Sequence, residues 1–331
     1  MPNQPLVFNN DGKPHSEDDL IAYGHIKFMD TGDPTWLPHA DDRLRPRHGR
    51  RHRILASEAG KVPVKDFVVS RASKRGWTTW LTGAVDPRVR AVVPIVIDVI
   101  NVRACKVNHY ASYGFWAPAV GDYTRHKIHE RFDTPAYARL LEIVDPYSYR
   151  DRLTMPKYVV NSSGDQYFPP DSSKFYFDDL PGPKYLRYVP NTNHSLAGSD
   201  AGESTLAFYR AVLNGSPLPK FSWKVQPDGS LRVRAETKPV EVNLWQATNP
   251  KARDFRLLSI GKAYKKSTLK GDGEGVYLAR VDKPAAGWTA FFAELVFDSG
   301  DPKAPYKFTT QVHIVPDVLP HSFDDFRKTI K

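Results

Sequence analysis

A short apolar run that stops at a serine-containing turn, directly before a helical pattern, constrains the fold more than any other stretch of this chain. The apolar run covers residues 67–69, and the turn that follows contains Ser73. Large apolar residues then recur at helical spacing from Trp77 onwards. A strand, a sharp turn and a helix in this order hold a serine oxygen clear of a sheet and beside the free N–H groups of the helix. Ser73 is therefore a candidate nucleophile; the alternative is an ordinary turn in which Ser73 caps the helix.

Strand and helix patterns alternate along the chain as far as residue 215. After the serine turn they are predicted at residues 89–99, 158–161, 171–180, 185–189 and 200–213. The run over 89–99 is almost continuously apolar, as in a parallel strand that is covered on both faces. An earlier helix is predicted to begin with a capping box between Ser16 and Asp19. This alternation predicts an α/β fold with a mostly parallel sheet and helices on both faces.

The pattern changes at residues 215–220, where strand-like runs separated by turns replace the alternation. Strands are predicted at residues 221–225, 231–235, 240–245, 255–259, 275–281, 289–297 and 306–315. Evenly spaced strands of this kind are typical of a β-sandwich. We therefore predict a first domain over 1–215 and a β-rich C-terminal domain over 220–331.

Three residue types that can act together in nucleophilic catalysis follow predicted strands of the first domain. They are Ser73, Asp165 and His194, the chain order found in α/β-hydrolases. The carboxyl ends of parallel strands share one edge of a sheet, so these loops can converge. His194 would accept the proton of Ser73, and Asp165 would orient the imidazole. Asp98 and Asp145 are alternative acids whose positions fit the order less well.

Two cations follow the serine directly. The N–H of Lys74 is a candidate oxyanion donor, and the charges of Lys74 and Arg75 are candidates for holding an acidic substrate. Because cations at a helix N-terminus oppose the helix dipole, their presence suggests a use. The alternative is a solvated helix start.

An aromatic segment over residues 101–145 is predicted to form a cap over a pocket, with Trp116 as a candidate substrate contact. The alternative is the aromatic core of a helical insertion. His109, His126 and His129 lie in this segment without the spacing typical of a metal site. We predict neither a metal nor a cofactor.

Composition excludes several classes of protein. No apolar run approaches the length of a membrane-spanning helix, and the first residues do not read as a signal peptide. Cys105 is the single cysteine, which excludes an intrachain disulfide. The formal net charge is +10, but no nucleic-acid-binding signature accompanies it. The expected partner is a small-molecule, peptide or glycan substrate, with no specific nucleic acid; nothing in the sequence indicates the oligomeric state.

Residues 39–54 do not fit the rest of the chain. Residues 39–53 contain six Arg and three His and have no periodic apolar pattern, although a helix is expected before the first strand of the sheet. One interpretation is an anion-binding loop. We prefer the hypothesis of a frameshift, because GC-rich codons for this segment, read one nucleotide out of frame, give an amphipathic pattern. Sequencing the gene across this segment tests the hypothesis.

Four motifs also carry a family resemblance. The segments Ser-Lys-Arg-Gly-Trp-Thr-Thr-Trp-Leu-Thr, Asp-Pro-Arg-Val, Val-Pro-Ile-Val-Ile-Asp and Gly-Asp-Gln-Tyr-Phe-Pro-Pro-Asp-Ser-Ser lie at residues 73–82, 86–89, 93–98 and 164–173. They resemble the PhoPQ-activated pathogenicity-related proteins over nearly the whole chain. The resemblance implies an α/β-hydrolase fold with a C-terminal β-rich domain, in bacterial proteins that are usually exported to the periplasm or beyond. It maps the nucleophile to Ser73, the acid to Asp165 and the base to His194.

The chain departs from the family pattern in three places. Arg71 stands where a glycine is expected, close to the helix that follows the Ser73 turn. The Arg/His segment at residues 39–53 replaces a helix. The chain also resembles a member truncated before the first strands. The resemblance places a second oxyanion donor in that early part, so this polypeptide is a candidate inactive fragment. The leading interpretation is a serine hydrolase that cleaves an ester or amide. The alternatives are a carbohydrate esterase for acidic sugars and a non-catalytic binding protein that retains the fold.

Overall fold

The computed structural model describes residues 6–7, 12–37 and 65–330. The segment to which the frameshift hypothesis applies lies outside these residues. The first described elements are a pair of short antiparallel strands, β1 (Leu6–Val7) and β2 (Pro14–His15), and the helix α1 (Glu17–Thr31). The predicted capping box at the start of α1 is wrong. The Ser16 side chain makes no cap hydrogen bond, and the Asp19 carboxylate binds two histidines instead.

A parallel sheet of four strands positions the candidate site. Its strands are β3 (Phe67–Ala72), β4 (Val89–Ile95), β5 (Lys157–Ser162) and β6 (Lys184–Val189), in the spatial order β3-β4-β5-β6. The carboxyl ends of these strands therefore lie along one edge. The strand predicted over 89–99 ends earlier, at Ile95, because Val96 adopts a positive φ and turns the chain out of the sheet.

Helices cover both faces of this sheet. The helix α2 (Lys74–Val85) follows β3 directly, and its Trp77, Trp80 and Leu81 pack in the same buried cluster as Val92. The neighbouring β4 residues Ala91 and Val93 point to the opposite face, where they join a second cluster. Alternation of neighbouring residues between two apolar clusters is what a parallel strand buried on both faces requires.

The segment between β4 and β5 is a helical insertion. It contains α3 (Val102–Tyr113), α4 (Gly121–Arg125) and α5 (Pro135–Val144), with short 3-10 turns at Pro118–Val120, Ile128–Arg131 and Pro146–Arg152. The helix predicted over 171–180 is wrong, since only a 3-10 turn at Ser172–Phe175 forms there. The helix α6 (Ala201–Asn214) agrees with prediction and packs against the second face of the sheet, where Ala207 and Phe208 enter the second cluster.

Antiparallel strands dominate the C-terminal part. The strands are β7 (Phe221–Val225), β8 (Leu231–Ala235), β9 (Glu241–Asn249), β10 (Lys265–Thr268), β11 (Val276–Ala279), β12 (Trp288–Phe297), β13 (Tyr306–Thr309) and β14 (His313–Val315). One sheet has the order β11-β8-β7, and the other has the order β10-β9-β12-β13, with β14 also paired to β12. Two short helices, α7 (Leu257–Ile260) and α8 (Phe323–Thr329), complete the part. The fold is thus of the α/β-hydrolase type followed by a β-sandwich-like region, as predicted.

Two predictions for the C-terminal part are wrong in detail. The segment 255–259 is not a strand, because the Asp254 carboxylate binds both the backbone N–H and the guanidinium of Arg256 and folds the chain back. The run over 306–315 is divided into β13 and β14. The division into domains at residues 215–220 stays a prediction. The two parts share contacts, because the Tyr188 N–H in β6 donates to Thr309 Oγ1 in β13.

No helix in the described ranges combines the length and the apolar character needed to cross a membrane.

Candidate active site

Ser73 occupies a strained turn between β3 and α2. Its backbone adopts φ 56° and ψ −137°, a conformation that a non-glycine residue rarely takes. The turn is held by the Ser73 N–H, which donates to the Ile95 carbonyl oxygen at 2.9 Å, and by the Ser73 carbonyl, which accepts from the N–H groups of Gly76 and Trp77. The sharp turn carries the side chain out at the carboxyl edge of the sheet.

The close approach of α2 to this turn depends on Gly76. A Cβ atom at this position would lie 2.5 Å from the Ile97 Cγ2 atom and 2.9 Å from the Arg71 carbonyl oxygen. Arg71 itself is exposed at the end of β3, so its side chain does not enter the packing between helix and strand. The arginine that departs from the family pattern is therefore accommodated on the surface, and the turn forms.

The structure brings the side chains of Ser73, His194 and Asp165 into one hydrogen-bonded chain. His194 Nε2 lies 2.8 Å from Ser73 Oγ, and His194 Nδ1 lies 2.8 Å from Asp165 Oδ2. Asp165 is 3% exposed, and its Oδ1 accepts the Tyr167 N–H at 2.8 Å. An ionised carboxylate only accepts hydrogen bonds, so Nδ1 carries the proton and Nε2 is left to accept from the serine hydroxyl. This is the arrangement that general-base activation of a serine requires.

The loops that hold Asp165 and His194 are pressed together beside the C-terminal part. A Cβ on Gly164 would lie 2.6 Å from the Thr192 carbonyl oxygen and 2.9 Å from the Leu257 nitrogen. The Leu257 N–H also donates to the Gly164 carbonyl oxygen, and the side-chain oxygen of Gln166 accepts the His194 N–H at 3.1 Å. Glycine at position 164 thus allows the acid loop, the base loop and the start of α7 to meet.

The two cations after the serine have different surroundings. The ammonium group of Lys74 lies 2.5 Å from Glu17 Oε2 and 3.9 Å from Asp18 Oδ1, so its charge is paired with the start of α1. Arg75 is exposed and does not border the cavity beside the serine. The backbone N–H of Lys74 is in the first turn of α2, where a helix provides no internal acceptor. It remains the candidate oxyanion donor.

The alternative acids have other partners. Asp98 accepts from the Asn161 side chain at 2.9 Å and from the Tyr176 hydroxyl, and burial raises its pKa to about 7. Asp145 accepts the backbone N–H groups of Asn101 and Val102 at the start of α3 and that of Tyr147; burial raises its pKa to about 6. Both carboxylates are therefore engaged in holding loops.

Ser73 and His194 border a largely apolar cavity that the helical insertion closes on one side. Its apolar walls come mostly from α2, α3 and α5 and from the loops beside them. They include Trp77, Ile97, Val102, Val120, Ile128, Phe132, Tyr137, Leu140 and Val144. Trp116 does not border the cavity; its ring stacks on His129 with centroids 3.6 Å apart, and His129 does border it.

Sequence reasoning did not predict Lys106 or His129 as residues of this cavity, nor Asp18 or His25, which also border it. For Lys106 a signal was present, because it follows Val102 by four positions in α3 and therefore shares its helical face. For His129 there was no local signal, since its position depends on how the insertion folds over α3. His109, by contrast, is used structurally: its ring bonds the Tyr167 carbonyl and accepts the Ala117 N–H.

One group of side chains has the composition of a metal site. His15, Asp19 and His126 hold their donor atoms within 4.8 Å of one another. The Asp19 carboxylate already bonds both rings, at 2.6 and 2.8 Å, and the Arg125 guanidinium lies 3.6 Å from the same carboxylate. A cation in this place would be repelled by the arginine. We interpret the cluster as a polar contact that joins β2 and α1 to the end of α4.

Comparison with solved structures gives matches of low overlap. An acetyl xylan esterase from Paenibacillus sp. R4 is 19% identical, with 50% of each chain covered and a TM-score of 0.38. An acylaminoacyl peptidase of Pyrococcus horikoshii is 16% identical, with 49% of this chain and 26% of that chain covered and a TM-score of 0.35. Similarity at these sequence identities and TM-scores does not support a conclusion about activity.

Comparison with protein families and curated relatives is more specific. The model of the PhoPQ-activated pathogenicity-related protein family matches residues 1–256. Autocrine proliferation repressor protein A of Dictyostelium discoideum is 36% identical over an alignment of 356 positions, which covers 97% of this chain and 70% of that protein. Such a relative shows that proteins similar to this chain are not confined to bacteria. The chain belongs to the PhoPQ-activated pathogenicity-related protein family.

Proposed function

We propose that this protein is a serine hydrolase that cleaves a carboxylic ester or amide, with Ser73 as nucleophile, His194 as general base and Asp165 as the acid of the triad. The observation that carries the proposal is the continuous hydrogen-bonded chain from Ser73 Oγ through the His194 ring to the buried Asp165 carboxylate. Its position at a strained strand-to-helix turn supports the same conclusion, because such strain is retained where it positions a reacting group.

In the proposed mechanism, Ser73 Oγ attacks the carbonyl carbon of the substrate while His194 Nε2 takes its proton. The imidazolium that forms is stabilised by the Asp165 carboxylate and then protonates the leaving alcohol or amine. Water, activated by the same imidazole, next attacks the acyl group on Ser73 and releases the acid. The Lys74 N–H, at the N-terminus of α2, stabilises the oxyanion in both steps.

The cavity beside Ser73 supports a small substrate with an apolar portion. Its walls are mainly aliphatic and aromatic side chains, which favour alkyl or aryl groups over the hydroxyl-rich surface of a sugar. Lys74 is paired with Glu17, and Arg75 lies outside the cavity, so neither supports an acidic sugar as substrate. We therefore favour a small-molecule ester or amide over a glycan.

A fluorophosphonate probe tests the nucleophile. We expect the probe to attach to Ser73 in the full chain, as identified by mass spectrometry of the labelled peptide. Ser73→Ala should abolish the labelling, whereas Ser70→Ala, which changes an exposed serine of β3, should retain it. Labelling that survives Ser73→Ala would refute the proposal. Absence of labelling in the folded wild-type protein would favour a binding protein that keeps the fold without turnover.

A further inference from the structure

Lys106 places a positive charge at the wall of the cavity that the candidate nucleophile borders. It lies in α3 and borders the same cavity as Ser73 and His194. Its ammonium group lies 5.8 Å from the centre of the Tyr123 ring and 5.7 Å from that of Phe168. Aromatic faces stabilise a cation only modestly compared with a carboxylate. Burial among these groups lowers the pKa of Lys106 to about 8, so the ammonium form still dominates at neutral pH.

The nearby carboxylates have other partners. Asp18 borders the cavity, but its Oδ1 lies 3.9 Å from the Lys74 ammonium, which also binds Glu17 at 2.5 Å. Asp165 is bonded to His194 and to the Tyr167 N–H. Within the ranges that the structure describes, Lys106 forms no ion pair with a carboxylate. Asp18 and Asp165 stabilise the Lys106 charge without contacting it, so a direct ion pair is left for a group that enters the cavity.

His129 is a second polar group of the cavity, and one of its ring nitrogens lacks a hydrogen-bond partner among the described residues. Its ring is 3% exposed, borders the cavity and stacks on Trp116, with an angle of 11° between the two planes. Its Nδ1 atom is buried and makes no hydrogen bond with any described residue. Burial, with a smaller contribution from the charge of Lys106, lowers the pKa of His129 far below its usual value. The ring is therefore neutral and offers one N–H donor and one acceptor.

The Nδ1 atom of His129 is costly to bury unless a ligand bonds it, whereas Lys106 is only partly buried. A polar group that loses water without gaining a hydrogen bond destabilises the folded protein by about 1–3 kcal/mol. Stacking on Trp116 fixes the plane of the His129 ring, which suits a group that must present an N–H in one direction. Trp116, predicted as a substrate contact, would then act through His129.

We propose that Lys106 and His129 form the anion-binding end of the cavity, and that the substrate is an ester or amide of an apolar acid that carries a second carboxylate at its far end. The substrate carboxylate pairs with the Lys106 ammonium and accepts the N–H of His129, while the apolar chain lies along the walls beside Ser73. The acyl portion is the part of the substrate that we place in the cavity, because it stays bound to Ser73 between the two chemical steps. This assignment rests on the proposed hydrolase function.

Binding to the full-length Ser73→Ala protein tests the assignment without requiring turnover. The two probes are the mono-4-nitroanilide of adipic acid and the 4-nitroanilide of hexanoic acid, which have acyl chains of the same length and differ in the terminal carboxylate. Isothermal titration calorimetry should show binding of the adipic acid probe at least about tenfold tighter. Adding Lys106→Met should remove this preference, and adding His129→Phe, which keeps an aromatic ring for stacking, should reduce it. Lys238→Met, which changes an exposed lysine, is the control for net charge.

The outcomes separate this assignment from the hydrolase function. Equal affinity for the two probes, or a preference that survives Lys106→Met in a protein with an unchanged melting temperature, would overturn the assignment. The comparison of the two probes on the Ser73→Ala parent decides the matter even if a Lys106 variant fails to fold. A clear preference together with no labelling of Ser73 in the wild type would leave the anion site standing and refute the hydrolase function. Labelling of Ser73 with equal affinity for the two probes would support the hydrolase function and refute the anion site.

Discussion

The loops after β4 and β5 each place a buried aspartate at the same edge of the sheet, and they use it differently. Asp98, after β4, bonds the Asn161 amide and the Tyr176 hydroxyl. Asp165, after β5, bonds a backbone N–H and the ring of His194. The two residues have the same side chain and are both 3% exposed. The partners therefore decide what each carboxylate can do: Asp165 can stabilise a forming imidazolium, whereas Asp98 has two neutral donors.

The two loops also differ in what holds them. The loop after β4 packs on α2, where Ile97 lies against Gly76. The loop after β5 continues to Asp171, which bonds Arg253 from the C-terminal part at 2.7 Å, Asn108 and Lys174. Although burial raises the pKa of Asp171, the charges of Arg253 and Lys174 outweigh it and hold the pKa well below its usual value. The loop after β5, which carries Asp165, is thus held by the β-rich region, whereas the loop after β4 is held by α2.

The largest expected effect is a loss of kcat, and it should differ between variants of the two aspartates. Asp165→Asn should lower kcat for 4-nitrophenyl hexanoate by about 10⁴-fold, the loss typical when a triad carboxylate becomes an amide and the histidine loses its orienting acceptor. Asp98→Asn keeps an acceptor for Tyr176 and does not contact His194, so its loss should be far smaller. Release of 4-nitrophenolate, measured at saturating substrate, gives both values.

Equal losses in the two variants would contradict the assignment of the acid to Asp165. The melting temperature of each variant serves as the control, because an unfolded Asp165→Asn protein would also be inactive.

The next effect is a loss of stability when the ion pair between Arg253 and Asp171, which holds the loop after β5, is removed. Arg253→Met removes the buried guanidinium that pairs with Asp171 and bonds Ser112. Breaking a buried ion pair on one side leaves the other charge partly unpaired, so we expect a loss of about 3 kcal/mol in the free energy of unfolding. Urea denaturation measures the change.

The matched control for this prediction is Arg280→Met. Arg280 pairs with Asp228 on the surface, and both side chains are exposed, so its loss should stay below about 1 kcal/mol. If the two variants lose the same stability, the network around Asp171 does not brace the loop.

The convergence of the three candidate triad residues could be predicted from the sequence because its signals are local. A strand pattern that stops before Ser73, a helix pattern after it, and polar residues directly after two further strands place Ser73, Asp165 and His194 on one edge of a sheet. The parallel sheet, α6 and most C-terminal strands follow from apolar periodicity in the same way. Periodicity does not require knowledge of which segments meet in space.

The rest could not be predicted because it depends on contacts between distant segments. The segment after Pro170 reads as a helix, yet Asp171 is drawn into a buried network with Arg253, and only a short 3-10 turn forms. Phe255 and Leu257 read as part of a strand, but the ion pair of Asp254 with Arg256 folds that segment back. His129 borders the cavity only because of the way the insertion folds, which no local pattern indicates.

The smallest expected effect returns to Asp98 and concerns pH. Burial, opposed by its hydrogen bonds, raises the pKa of Asp98 from 3.8 to about 7. A group whose pKa is raised on folding contributes stability that is fully present below its unfolded pKa and is lost as the pH rises through the folded value. The Asp98 contribution should therefore decline between about pH 4 and pH 7. Asp98→Asn removes this dependence, so relative to wild type it should gain roughly 2.5 kcal/mol between pH 5 and pH 8.

Urea denaturation of both proteins at the two pH values measures this gain as a difference of differences, in which titrations common to both proteins cancel. Asp145→Asn is a useful companion variant, because burial raises its pKa to about 6 and its window lies lower. A gap between Asp98→Asn and wild type that does not change with pH would mean that Asp98 is ionised at both values. The difference between the two loops would then rest on the imidazole beside Asp165 and not on the burial of Asp98.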